Sequence, residues 1–359
     1  YIEETNSELE KQRGLKIVDR DKAQETAFEI KPACSCEAII NYYRALLIAS
    51  GHESRGLAIR KRQHGKTSDD EIKELAKLLY NIFVKPLEEK LKGKTNLLII
   101  TDGPLGFMPL ETLIDESGRY MVEKYHITYV QSMGVMDLIK KRRYEDNRKP
   151  LLAFGGAVYE ISKTGITRSS KQTSAIGTAV ISKSSVRGAY DSMGMGIWKN
   201  LPHSLSEVKA IADIVKGTEL YTGDKVSESN VKRLSATGEL SRYKVIHFAT
   251  HGMVIPAFPE LSALVLSQRT DEQDDGYLRM EEIPKLKLKA DFVNLSACDT
   301  GLGKLYEGEG VVGLAQGFLI AGANGLSVSL WQVADDSTSI FMSGMYELSN
   351  HKGWNYARA

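Results

Sequence analysis

Ile72, Leu75, Leu78, Leu79, Ile82 and Phe83 lie on one stripe at i, i+3, i+4 spacing, the mark of an amphipathic helix. Thr67, Ser68 and Asp69 offer side-chain caps at its start. Ala38-Ile39-Ile40 through Leu46-Leu47-Ile48 repeats the helical spacing, so residues 1–91 read as helical, without a detectable 34-residue repeat. From Asn96 the apolar runs shorten. Asn96–Thr101, His126–Gln131 and Leu151–Phe154 read as strands, the first closed by Asp102-Gly103-Pro104. Gly155-Gly156 ends the third; no helix or Lys-Ser/Thr pair follows to hold a phosphate, so it reads as a plain turn.

The second half alternates the two periods. Leu201-Pro202-His203-Ser204 precedes a helix bearing Val208, Ile211, Ala212 and Val215. A short strand follows at Glu219-Leu220-Tyr221, then a helix capped by Ser227 and running to about Leu240. Ala263–Leu266 reads as an added strand with Asp275-Gly276 at its hairpin. Gly310–Ala321 reads as a tightly packed helix and Leu326–Val333 as the last strand. Two further strands carry the greatest interest. Val245–Gly252 and Phe292–Gly301 each begin with β-branched or aromatic residues and run into a Gly-containing turn, as a buried strand does at its C-terminal tip. Strands alternating with helices predict a mostly parallel sheet covered on both faces, an α/β fold behind a helical N-terminal segment. The division expected is 1–92 for the helical segment and 93–359 for the α/β domain, itself split into 93–200 and 201–359.

Composition narrows the function classes. At 359 residues the chain buries a full core. Lys+Arg 47 against Asp+Glu 46 leaves no global bias towards nucleic acid or membranes. Three cysteines are too few for a disulfide framework and point to a reducing cytoplasm. There is no signal peptide and no 18-residue apolar run. The chain opens on Tyr1 and stops at Ala359 within a helical pattern, as a fragment of a longer protein would. Ser162–Tyr190 is Ser/Thr/Gly-rich and lacks any acidic residue, yet carries Lys163, Arg168, Lys171, Lys183 and Arg187. It reads either as a solvated loop or as a segment that gates the site.

The two strand tips deliver His251 and Cys298, 298 − 251 = 47 residues apart, enough for one crossover. In an open parallel sheet, ligands bind in the crevice beyond the carboxyl ends of the strands. A His and a Cys brought there are the parts of a thiol nucleophile with its base. His247 lies inside its strand and reads as a hydrogen-bonded core histidine. Four strand residues span about 13 Å, so His247 and His251 cannot share a metal ion. Cys34-Ser35-Cys36 lacks a second ligand pair and reads as incidental. No metal or organic cofactor is expected. The strongest rival is Gly308-Glu309-Gly310-Val311-Val312-Gly313, a literal G-x-G-x-x-G with Asp335 22 residues beyond Gly313 (335 − 313), which imitates a dinucleotide fingerprint. Against it, ten residues separate those glycines from their strand.

His247-Phe248-Ala249-Thr250-His251-Gly252, Leu295–Gly301 and Ser327–Asp336 together resemble the CHAT domain, a family of caspase-like cysteine peptidases related to separase. Ser296-Ala297-Cys298-Asp299-Thr300-Gly301 is also similar to the caspase pattern of a Cys among small residues with its His roughly 50 residues upstream. Leu105-Gly106-Phe107-Met108-Pro109-Leu110-Glu111 resembles the family's early strand and helix. The resemblance implies a caspase-like fold and a cysteine endopeptidase acting on a protein substrate through a Cys298/His251 dyad. It implies an oxyanion held by the backbone N–H groups of Gly252 and Cys298. It also implies partner regulation, because such domains often follow TPR-type helical repeats. Ser296, two positions before the nucleophile, falls where caspases carry a Gln. Asp335 falls where separase has an Asp lining a pocket for Arg; the other reading is that Asp335 or Asp336 caps a helix starting near Ser337. A catalytically silent interaction scaffold of the same family is the remaining alternative.

Overall fold

The computed structural model describes residues 16–18, 27–29, 36–53, 68–101, 103–159, 183–193, 198–255, 258–268, 274–297, 303–306, 310–330 and 333–359. The chain divides into two compact units, Tyr1–Lys141 with Lys304–Val312 and Arg358, and Arg142–Gly303 with Gly313–Ala357 and Ala359.

In the first unit, Lys16–Val18 (β1) pairs antiparallel with Ala27–Glu29 (β2), so residues 1–91 are not helical throughout. The helical period was carried only by residues 38–48 and 72–83. Those become Cys36–Glu53 (α1) and Ser68–Phe83 (α2). Their apolar faces meet in a core of Ile39, Tyr43, Leu75, Leu79 and Tyr80, joined by Leu113. Asn96–Ile99 (β3) and His126–Tyr129 (β4) pair in parallel.

The second unit is built on a five-stranded parallel sheet. Its strands are Lys149–Gly155 (β5), Glu219–Thr222 (β6), Tyr243–Ala249 (β7), Phe292–Ser296 (β11) and Leu326–Ser327 (β14), in the order β14-β11-β7-β5-β6. The central strands are apolar on both faces because both faces are covered. Leu152, Phe154, Ile246, Phe248, Val293 and Leu295 point into one core. There they meet Val231 and Leu234 of Glu228–Ala236 (α5) and Phe318 of Leu314–Ala321 (α6). Phe154 stacks on Phe248 with ring centroids 4.8 Å apart; truncating either to alanine should cost about 3–5 kcal/mol. On the opposite face Leu151, Ala153, Val245 and Phe292 meet Val208 and Ile211 of Pro202–Ile214 (α4) and Tyr346 of Asp335–Lys352 (α7). This is the mostly parallel α/β class that alternation predicted.

Gly155 permits the closest of these contacts. A Cβ there would lie 2.6 Å from the Ser204 carbonyl and from Val208, so the glycine serves helix–strand packing. His251–Met253 (β8), Ala263–Val265 (β9) and Tyr277–Arg279 (β10) form a separate antiparallel sheet, order β10-β9-β8. Gly276, at φ 82°, accepts the Leu266 N–H just before β10; the expected turn at Asp275-Gly276 is not seen there, and residues 269–273 of the β9–β10 connection lie outside the described residues.

Three expectations are corrected. The basic Ser/Thr-rich stretch does not run loose to Tyr190: Lys183–Ser192 is a helix (α3), because Val186 and Tyr190, four apart, bury one face. The part at 160–182 lies outside the described residues. Gly310–Gly313 is a strand (β13) paired with Gly303–Tyr306 (β12), and the helix starts only at Leu314. The last strand stops at Ser327; Trp331 and Gln332 lie outside the described residues. Among the described residues no helix is long and apolar enough to cross a membrane.

Candidate active site

Alternation along β7 sends His247 to the face covered by α4 and α7, where it is fully buried. Its Nε2 lies 2.8 Å from Glu207 Oε1. Its Nδ1 faces the amide nitrogen of Asn294 at 3.0 Å and the Tyr346 hydroxyl at 3.2 Å. Ser327 donates to the Asn294 Oδ1, which leaves the Asn294 nitrogen as the donor towards His247. Nδ1 therefore accepts, and the proton sits on Nε2, donated to Glu207. This histidine is structural, tying β7, β11 and β14 to both helices.

Ala249 ends β7, and after Thr250 His251 opens β8. The imidazole of His251 stands between two aromatic rings, Tyr159 at 4.7 Å and Trp198 at 5.1 Å. Its Nε2 is 2.7 Å from the backbone carbonyl of Lys199. A carbonyl only accepts, so Nε2 carries a proton, and in the neutral ring the lone pair belongs to Nδ1. The backbone is fixed as firmly. The His251 N–H donates to the Tyr159 hydroxyl at 3.1 Å, and that hydroxyl donates to the Val265 carbonyl at 3.0 Å.

The direction of Gly252 follows from the same sheet. Leu266 N–H donates to Gly276 on the β10 side. Successive strand residues turn their backbone polar groups to opposite edges, so Val265 faces β8, where His251 is its partner. His251 thus uses its N–H towards β9. The Gly252 N–H points away from β9, off the β8 edge of that sheet.

Cys298 and its neighbours 299–302 lie outside the described residues. The strand that leads to it is described. β11 runs parallel beside β7 with Ser296 opposite Ala249. Cys298 and His251 therefore each follow that shared rung by two sequence positions, 298 − 296 and 251 − 249. Ser296 itself is buried at that rung.

Asp335 and Asp336 are both engaged at helix ends. The helix expected near Ser337 begins at Asp335, with Ala334 as its cap residue. Asp335 Oδ2 accepts the His203 N–H at 2.9 Å, at the first turn of α4. Asp336 is exposed and accepts the Ser337 N–H at 2.7 Å, a bond that holds its carboxyl below the ordinary range. The glycines of the dinucleotide reading do not form its strand–turn–helix: Gly310 and Gly313 lie in β13, and Gly308 lies outside the described residues. Among the described residues no group of three or more His, Cys, Asp or Glu could hold a metal ion. Sequence reasoning missed Tyr159, Lys199 and Glu207.

A family model described as the CHAT domain matches residues 73–359, most of the chain. No curated protein matches. Eighteen chains of solved structures match. One belongs to the Saccharomyces cerevisiae separase–securin complex, with 14% identity and a TM-score of 0.39 over 96% of this chain and 19% of that one. This chain thus spans about a fifth of that chain's length.

Proposed function

The chain belongs to the CHAT domain family, and on that premise we propose that it is a caspase-like cysteine endopeptidase. Cys298, as thiolate, attacks the carbonyl carbon of the scissile peptide bond. The C–N bond then breaks as His251 passes a proton to the leaving amine. Water, deprotonated by His251, releases the acyl group from the sulfur. The N–H groups of Gly252 and Cys298 hold the oxyanion at each tetrahedral stage. One observation carries the reading. Ser296 and Ala249 share a rung of neighbouring parallel strands, and Cys298 and His251 each come two positions later in the sequence; in such sheets ligands bind beyond the carboxyl ends of the strands. The Lys199 carbonyl on Nε2 supports it too, because it leaves Nδ1 as the nitrogen that takes up a proton.

The substrate in this reading is a protein in the cytoplasm. A regulatory partner acts through helical repeats upstream, and no metal or cofactor takes part. Asp335 faces the residue before the cut, with Ser296 and Asp336 beside it. The test is selective labelling. Under limiting iodoacetamide at pH 7, Cys298 should be alkylated well before Cys34 and Cys36, and His251→Ala should erase the difference. A Cys298 no faster than the other two would leave the chain as an interaction scaffold.

A further inference from the structure

Three consecutive residues meet the catalytic histidine and its backbone anchor. Lys199 offers its carbonyl to His251 Nε2 at 2.7 Å. Asn200 Oδ1 accepts the Tyr159 N–H at 3.0 Å, and the Tyr159 hydroxyl in turn accepts the His251 N–H. Trp198 lays its ring 5.1 Å from the imidazole and donates its indole N–H to the Tyr277 hydroxyl at 3.1 Å. The Lys199 side chain is exposed, so the place of its carbonyl depends on the two neighbours. Asn200 is exposed and reaches only the Tyr159 backbone, whereas Trp198 packs its ring against the core and bonds Tyr277 of β10. Tyr277 is buried, and its ring lies 4.2 Å from that of Tyr190 in α3. Tyr190 is itself fixed by its hydroxyl on the Leu261 carbonyl at 2.7 Å.

We propose that Trp198 is a positioning residue for the catalytic pair: its indole, anchored on Tyr277, holds the Lys199 carbonyl against His251 Nε2. The proposal rests on the peptidase reading above. The chemistry is specific. A carbonyl acceptor on Nε2–H stabilises the imidazolium more than the neutral ring, since a charged donor makes the stronger bond. An imidazolium beside a thiol lowers the thiol's pKa and favours the thiolate. Freeing the Lys199 carbonyl removes that preference and lets the imidazole turn about its side-chain bonds. A Trp198 that only filled the core would alter thermal stability and leave the ionisation of Cys298 where it was.

The experiment reads the pH dependence of Cys298 alkylation by iodoacetamide, followed by peptide mass spectrometry, in wild type, His251→Ala, Trp198→Phe, Tyr277→Phe and the double variant. Circular dichroism at each pH checks the fold. Trp198→Phe keeps an aromatic ring but removes the indole donor together with part of the ring, so the isosteric Tyr277→Phe is the variant that separates the hydrogen bond from lost packing. Tyr277→Phe removes the other end of the same bond. The expected result is an alkylation midpoint moved upward in both single variants, with labelling at pH 7 about fivefold slower for one lost hydrogen bond. The double variant should be no slower than either single one, and His251→Ala should show the full shift towards an ordinary thiol. Unchanged midpoints in Trp198→Phe and Tyr277→Phe, with His251→Ala shifted, would refute the positioning role and leave the dyad standing. An unchanged midpoint in His251→Ala would remove the dyad and this proposal with it.

Discussion

Tyr159→Phe removes one oxygen atom, and the sheet geometry says what that oxygen does. It stands between β8 and β9, accepting from the His251 N–H at 3.1 Å and donating to the Val265 carbonyl at 3.0 Å. The variant deletes both bonds and leaves a donor and an acceptor facing each other across the gap that the hydroxyl filled. A buried polar group left unpaired costs about 1–3 kcal/mol. Partial closure of β8 onto β9 recovers some of this, so a net loss of about 2–3 kcal/mol is expected. For a unit of this size, 1 kcal/mol corresponds to about 2–4 °C in Tm, giving a fall of about 4–12 °C in a thermal melt followed by circular dichroism. Closure also pulls His251 off the Lys199 carbonyl, so Cys298 alkylation at pH 7 should slow as well. A Tm within one degree of wild type, with unchanged alkylation, would show that the hydroxyl does not separate the two strands and would refute the direction assigned to the Gly252 N–H.

Asp335→Ala should lower Tm by an amount equivalent to about 1 kcal/mol, because it removes the acceptor for the first turn of α4. If Asp335 also faces substrate, the same variant loses cleavage after Arg or Lys selectively; equal cleavage after Leu or Met in both proteins would rule that out. Burial, with the Asp275 and Glu282 carboxylates nearby, outweighs Lys232 and pushes the Glu228 carboxyl up to about 7, above its ordinary 4.5. The folded state then holds that proton more readily than the unfolded one, so stability falls as pH rises from about 4.5 to about 7. Glu228→Gln should accordingly match wild type at pH 4.5 and melt higher at pH 8; a lower melting point at pH 8 would contradict the assignment. In the first unit Asp115 behaves oppositely. Burial raises its pKa, but Lys124 at 2.8 Å, the Ser117 hydroxyl and the Arg119 N–H together hold it well below the carboxylate range. Its stabilisation is present above the ordinary value of 3.8 and lost as pH falls below it. Asp115→Asn should cost about 2–3 kcal/mol at pH 7 and progressively less in melts below pH 4.

The strands β5, β7 and β11 were legible because a strand covered on both faces must be apolar at nearly every position. The exceptions inside them were informative too. His247 and Asn294 interrupt those runs because they bond to each other, and His247 also bonds Glu207. Glu207 had a readable signal: it lies on the buried stripe of α4 with Ser204, Val208 and Ile211, and a carboxylate on such a stripe needs a partner. The Lys199 carbonyl had none, since every residue has a carbonyl and only the fold selects which one meets the imidazole. The helix α3 was hidden for a related reason: Val186 and Tyr190 are two apolar positions in a Ser/Thr-rich stretch, too few to fix a period. The expected helix over Gly310–Ala321 forms only from Leu314, because Val311 and Val312 suit helix and strand periods alike over so short a run, and pairing with β12 makes Gly310–Gly313 a strand.

Cleavage of a protein by Cys298 and His251, as proposed, would leave new N-termini. Wild type, Cys298→Ala and His251→Ala are each incubated with candidate protein neighbours, and new N-termini are identified by mass spectrometry. Defined new termini are expected with wild type only, the two variants giving none although their circular dichroism matches wild type. The same termini produced by well-folded Cys298→Ala would contradict the proposal.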